Sequence, residues 1–332
     1  MSPSSQRASM VPISRTIRAY FAPVNREQES AAIFDPARHG AFDLDAPPAP
    51  WLDLGCIDAF ERRSLEDADV LRTGSPSVPS LPYRRACGVH IECDFRNWGK
   101  LQMALACGSQ HINVLASDSN SDIDPLGGTP LSGLAILPGS TQSEIVLGAG
   151  AVNSFQPGDL IAVDLDYQQQ VGYVGNPIAG AYVRDPADVR RDPDFIRRIT
   201  FNVGRVALRT ATSLVLAQPL IGGTPAAGAS AQKVIAFADR EGGSFLQEWS
   251  ALFIFQEDAG GRICLYYPRL VTSPPPGQVA GSYRESRIEI AMPISAIALH
   301  ASFIALPRTD TLDGESILCY RSYFPAPQAA VY

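Results

Sequence analysis

The 332 residues carry 27 basic and 34 acidic side chains, a formal net charge of -7. A hydrophobic share of 45% against 18% charged excludes a disordered chain, and a folded chain of this size buries roughly 75% of its unfolded surface. The acidic balance excludes a protein whose whole surface grips nucleic acid, but not one past which nucleic acid slides, because an acidic wall repels phosphate.

Residues 1–12 read as a flexible arm without the apolar core of a secretion signal. Ile13 to Ala22 has strand character, and the loop-rich stretch after it ends in Ala46-Pro47-Pro48-Ala49-Pro50, an extended connector. Trp51 to Phe60 reads as a strand that continues to Ser64. Arg85 to Arg96 alternates cleanly, with Cys87, Val89, Ile91, Cys93 and Phe95 on one face. Asn97 is then placed as the cap of a helix running through Cys107, with Trp98, Leu101 and Leu105 on one stripe and Gly108 as its stop. Ser117 to Gly133 is a long polar loop.

Phe155 to Tyr167 is a turn feeding a strand, and Val171 to Val183 is glycine-rich with strand character. Asp185 to Arg198 is a charged connector. Ile199 to Leu208 and Ser213 to Leu220 form a hairpin closing at Gly222-Gly223. The main sheet is expected to resume at Lys233. Trp249 to Gln256 and Arg262 to Tyr267 alternate around Glu257-Asp258-Ala259-Gly260-Gly261, the pattern of an antiparallel hairpin. Its two faces are both apolar, so it is covered on both sides or faces another subunit. Ser282 to Leu306 and Gly314 to Phe324 supply the last strands. The expected class is mainly β: a β-sandwich or barrel with one short helix, long loops and a small β-barrel-like insertion. The expected division is 1–12 as an arm, 13–150 with 226–325 as the main β domain, and 151–225 as the insertion.

Motifs that carry chemistry are weak throughout. Cys87-x2-His90-x2-Cys93 has metal-ligand residues, but a strand points the two cysteines one way and the histidine the other, with about 20 Å between the sulfurs at ~3.3 Å per residue. Asp118, Asn120, Asp122 and Asp124 begin like a calcium loop, yet Ile123 stands where glycine belongs and Thr129 where the bidentate glutamate belongs. Gly148-Ala149-Gly150 lacks the third glycine of a dinucleotide turn, and Pro157 leaves no room for its helix. Asp164 and Asp166 alternate with Ile161, Val163, Leu165 and Tyr167, as on the solvated face of a strand. Glu241 to Leu246 lacks the trailing glycine of a nucleophile elbow, and His111 and His300 have no recognisable partner context. No catalytic, metal or cofactor residue is therefore assigned. The six cysteines form no CxxC pair and are expected as reduced thiols in a cytoplasmically made protein. Lysine occurs only at Lys100 and Lys233. No segment reaches the roughly 18 apolar residues of a membrane span. Trp51, Trp249, Tyr266 and Tyr267, with Arg269, are assigned to a subunit interface, since strand aromatics favour core or interface.

The strand entered through APPAPWLDLG (Ala46 to Gly55), the strand leading into a helix (Arg85 to Cys107) and the long loop after it resemble the tail-tube proteins of bacteriophages and related phage-like particles. REGGSFLQEWSALFIF with GGRICLYYPRL, and LDGESILCYRS (Leu312 to Ser322), add to the likeness, which covers 11–150 and 226–325. The resemblance implies a structural protein, not an enzyme, forming rings, commonly hexameric, stacked into a tube in a virion tail or phage-like particle assembled in the bacterial cytoplasm. Its partners are then further copies and other particle components, with DNA or cargo passing through the lumen without specific binding. A carbohydrate-binding β module, with an exposed aromatic cleft, and a hydrolase of unrecognised type, with clustered polar groups in one pocket, are the alternatives.

Overall fold

The computed structural model describes residues 14–24, 31–108, 110–116, 131–164, 171–173, 179–182, 202–240, 247–258, 260–273, 288–289, 298–310 and 312–326. In chain order, β1 (Ser14–Pro23), β2 (Leu52–Thr73) and β3 (Val78–Phe95) precede the helix α1 (Lys100–Cys107). Then come β4 (Gln110–Leu115), β5 (Leu134–Ala135), β6 (Glu144–Val146), β7 (Leu160–Asp164), β8 (Val171–Tyr173) and β9 (Ala179–Tyr182). β10 (Val203–Arg209), β11 (Ser213–Leu216) and β12 (Ser230–Arg240) follow. β13 (Trp249–Glu257), β14 (Arg262–Thr272), β15 (Ile288–Glu289), β16 (Ala298–Ala305), β17 (Arg308–Thr309), β18 (Ser316–Ile317) and β19 (Tyr320–Phe324) end the chain. The chain is mainly β. It divides into two compact units, one of residues 1–22, 31–98 and 249–332, the other of residues 23–30 and 99–248.

The first unit is a closed six-stranded barrel in the order β16-β3-β2-β1-β13-β14, shut by pairing of β14 with β16 through Leu270–Ala305 and Thr272–Phe303. Alternation sends Phe21, Ile91, Phe95, Phe253, Tyr267 and Phe303 inward, and all are fully buried. Phe253 meets the rings of Phe21 at 5.9 Å, Phe60 at 4.9 Å and Tyr267 at 5.9 Å, in edge or tilted geometry. The other face of β1, β13 and β14 is buried as well. Tyr20, Trp51, Leu252, Ile254, Cys264 and Tyr266 form a second cluster with Phe34, against which Phe42 and Leu44 pack. The covering stretch is tied down by two phenols. Tyr20 donates to the Leu44 carbonyl at 2.8 Å and Tyr266 to the Ala32 carbonyl at 2.7 Å. The expected hairpin around Gly260 forms as β13 and β14, and what covers its second face is the chain's own 31–44 stretch.

The second unit contains a nine-stranded sheet whose main path is β6-β11-β10-β7-β12-β4-β9-β8, with β5 paired to β12. Ile145, Phe155, Ile161, Val163, Val206, Leu214 and Ala231 lie at the centre of its core. The Leu137 N–H donates to the Val146 carbonyl at 2.8 Å and so joins the stretch after β5 to β6. The short strands thereby curl around that core. α1 packs here with Leu101 and Leu105 buried, and Gly108 ends it in the left-handed conformation at φ 58°.

Four sequence expectations are corrected. The borders of the inserted unit lie at Trp98/Gly99 and Glu248/Trp249, not at 151 and 225, because β12 pairs with β4 on one edge and with β7 on the other. For the same reason the strand at Lys233 belongs to the second unit and does not resume the main sheet. The helix is capped by Gly99, while the Asn97 amide lies so close to Gly55 that a Cβ there would sit 2.7 Å from its nitrogen. Cys87 is exposed, whereas Cys93 is fully buried. Only Cys93 lies where β16 flanks β3.

Candidate assembly surface

β2 and β3 run far past the barrel. β16 accompanies β3 only as far as His90, opposite Ile304, whereas β2 and β3 stay paired with each other from Leu65–Gly88 out to Thr73–Val78. At ~3.3 Å per residue that projection is about 30 Å long. Register shifts between Asp67/Ala68 and Leu71/Arg72 bend and twist it. Near the tip Val70, Leu71, Val78, Leu81 and Tyr83 all expose at least two fifths of their surface. Leu71 and Leu81 are direct cross-strand partners and Tyr83 opposes Asp69, so Leu71, Leu81 and Tyr83 share one face. A two-stranded ribbon is marginally stable alone in water, and its apolar face has no partner layer within the described pairings.

The residues assigned from sequence to an interface sit elsewhere. Trp51, Trp249, Tyr266 and Tyr267 are 5%, 3%, 4% and 0% exposed. They are core residues and present no surface to a partner. Burial pushes the Tyr266 phenol up to about 12. Tyr267, raised further by burial, accepts from Arg62 Nε at 3.0 Å. Arg269 is half-buried and donates to the Pro307 carbonyl at 3.1 Å. The sequence signal for this exposed ribbon was the apolar side chains interleaved with prolines at 70–83, a texture that reads as loop.

Cys93 is buried with its thiol raised by desolvation, and His90 points to the opposite face, so the Cys-His-Cys spacing does not converge. Cys56, Cys87, Cys93, Cys107, Cys264 and Cys319 stand as free thiols. Asp118 to Asp124, Asp166 and Glu241 to Leu246 lie outside the described residues, as do the side chains of His111 and Asp164. His300, expected without a partner, contacts an Asp94 carboxylate oxygen through Nδ1 at 2.8 Å across the β3–β16 pair. Ser302 is two residues along on the same face and 5% exposed, yet its hydroxyl has no hydrogen-bond partner. Ser302 Oγ is therefore not hydrogen-bonded to the His300–Asp94 pair. An open groove of about 600 Å³ in the barrel unit is lined by His39, Phe42, Asp43, Asp45, Arg262 and Phe324, with the His39 ring stacked on Phe324 at 3.9 Å. Among the described residues no group of three His, Cys, Asp or Glu side chains has a geometry fit to hold a metal ion, and no helix is long and apolar enough to cross a membrane.

The fold and this surface define a mainly β chain whose barrel unit projects an apolar ribbon. Compared with models of known protein families the sequence matches none, and comparison with curated proteins yields no match either.

Proposed function

We propose that the chain is a structural protein that assembles with copies of itself into rings stacked as a tail-like tube, a conduit for DNA or cargo. The observation that carries this reading is the 65–88 projection with Leu71, Leu81 and Tyr83 exposed on one face. Apolar groups concentrated on a projection are costly in a monomer and are stabilised by a second surface. A head-to-tail contact that closes on itself makes a ring, and stacked rings make a filament. On this reading the rings are hexameric, other particle components cap the tube, no catalysis is involved, and the assembled form belongs to a virion tail or phage-like particle. Electron microscopy of the purified protein, with size exclusion and light scattering, tests it. The expected result is rings or concentration-dependent polymer. A strictly monomeric species at high micromolar concentration ends the reading.

A further inference from the structure

A two-stranded ribbon has two outer edges, and in this one they differ. β3 carries Pro79 and Pro82, opposite Arg72 and Val70. Proline has no N–H, so in a paired strand its nitrogen faces away from the partner. The outer edge of β3 is thus stripped of donors at both positions, a known guard against strand addition. In an antiparallel pair, residues opposite each other share the same orientation. Val70 and Arg72 therefore also turn their N–H and C=O outward, on the edge of β2. The Val70 N–H shows this directly: it donates to the exposed carboxylate of its neighbour Asp69 at 2.8 Å, not to β3. No proline interrupts β2 from Leu52 to Thr73.

We infer that copies of this chain join by backbone strand addition along the β2 edge of the projecting hairpin, with the β3 edge kept closed. The inference rests on the self-assembly reading and names its contact. The occupant is a second copy, because the same unit offers what such an edge needs. β19 pairs with β14 alone and ends the sheet path, so one of its edges has no partner among the described pairings. It is free of proline, matches Asp69–Thr73 in length, and exposes Tyr320, Tyr323 and Arg321. Arg321 offers charge opposite to Asp69, and the tyrosines offer apolar surface to Leu71 and Val70. An incoming carbonyl takes the Val70 N–H from the Asp69 carboxylate, an exchange of one exposed hydrogen bond for another.

The test places proline where the hairpin tolerates it. Val70→Pro with Arg72→Pro removes only outward donors, so the monomer keeps its circular dichroism and thermal midpoint. Assembly measured by light scattering is expected to need at least about 100-fold more protein. Val70→Thr with Arg72→Gln, which alters side chains but keeps both N–H groups, is expected to stay within about 5-fold of the unmodified chain. Pro79→Val with Pro82→Val is expected to retain the same ring or tube. Hydrogen exchange on the unmodified assembly supplies a reading independent of the variants: amides of 69–73 become protected relative to the monomer. If the proline pair assembles like the parent, or 69–73 exchanges equally fast in both states, strand addition is overturned while self-assembly stands. If the parent never assembles, it is the self-assembly reading that fails.

Discussion

Replacing Leu71 and Leu81 together by serine separates assembly from folding. Leu71 is 51% and Leu81 58% exposed, and the two are cross-strand partners. Burying a whole leucine side chain contributes about 1.5–3 kcal/mol, so the half still facing water contributes about 1 kcal/mol when a second copy covers it. The pair then accounts for about 2 kcal/mol per contact, a factor of about 30 in association. Sedimentation or light scattering across a dilution series should show the assembly midpoint rising by that factor. Because neither side chain packs in a core, monomer stability in urea should move by no more than about 0.5 kcal/mol. An unchanged midpoint would refute the argument that this face is covered by another copy. A loss of monomer stability above about 1 kcal/mol would show that the leucines are held within the chain itself.

Phe253→Ala should do the reverse, since it empties the middle of the barrel and removes three ring contacts. The expected loss is about 3–5 kcal/mol, read by urea denaturation followed through the tryptophans of the barrel unit. Lys100 lies 8% exposed in the second unit, its Nζ against Asn113 Oδ1 and 5.3 Å from the Phe237 ring centre, and burial holds its pKa well below the ordinary lysine value. The unfolded lysine protonates near 10.5 and the folded one only at lower pH. Stability of that unit should therefore fall as pH drops below 10.5 and level off once the folded-state pKa is passed. Lys100→Met should flatten that slope in denaturation curves taken between pH 7 and 11, and an identical slope in both proteins would remove desolvation as the cause. Duplex DNA should bind the assembled tube weakly, in keeping with the net charge of -7. Tight binding with a steep salt dependence, or a lumen lined mainly by arginine, would contradict a conduit.

The parts of this fold legible in sequence are those set by neighbours along the chain. Val89, Ile91, Cys93 and Phe95 alternate, and they are the buried face of β3. Trp249 to Gln256 and Arg262 to Tyr267 pair around Gly260, whose φ of 92° suits glycine. What escaped was set by distant partners. Whether β12 joins one sheet or another depends on β4 and β7, strands far away in sequence, and its own apolar pattern suits either. Trp51 and Tyr266 looked like interface because nothing nearby covers them. The cover is Phe34, Phe42 and Leu44, held by two phenol hydrogen bonds that no periodicity announces. The projecting hairpin was hidden for the opposite reason. A ribbon with solvent on both sides needs no alternation, so Pro79, Pro82 and the polar residues among its leucines read as a loop.

Closure of the barrel is what gives those hidden parts their meaning. A sheet that closes on itself removes its own edges, and the pairing of β14 with β16 does this for six strands of the first unit. Within the described pairings, the unpaired strand edges left in that unit belong to the hairpin beyond Leu65 and Gly88, to the outer strands β15 and β19, and to the two-stranded β17–β18 pair. Of these, β15, β17 and β18 span two residues each, too short for a stable ladder. The hairpin has one edge blocked by proline, which leaves β2 and β19 as the longer unpaired edges among the described residues. On the proposed strand addition the contact joins two different edges: repeated from copy to copy it produces a closed ring or an open helix, whereas reciprocal exchange of the two edges produces a two-fold pair. On that same proposal, the twist that the register shifts at Asp67/Ala68 and Leu71/Arg72 give the hairpin enters the angle between neighbouring copies.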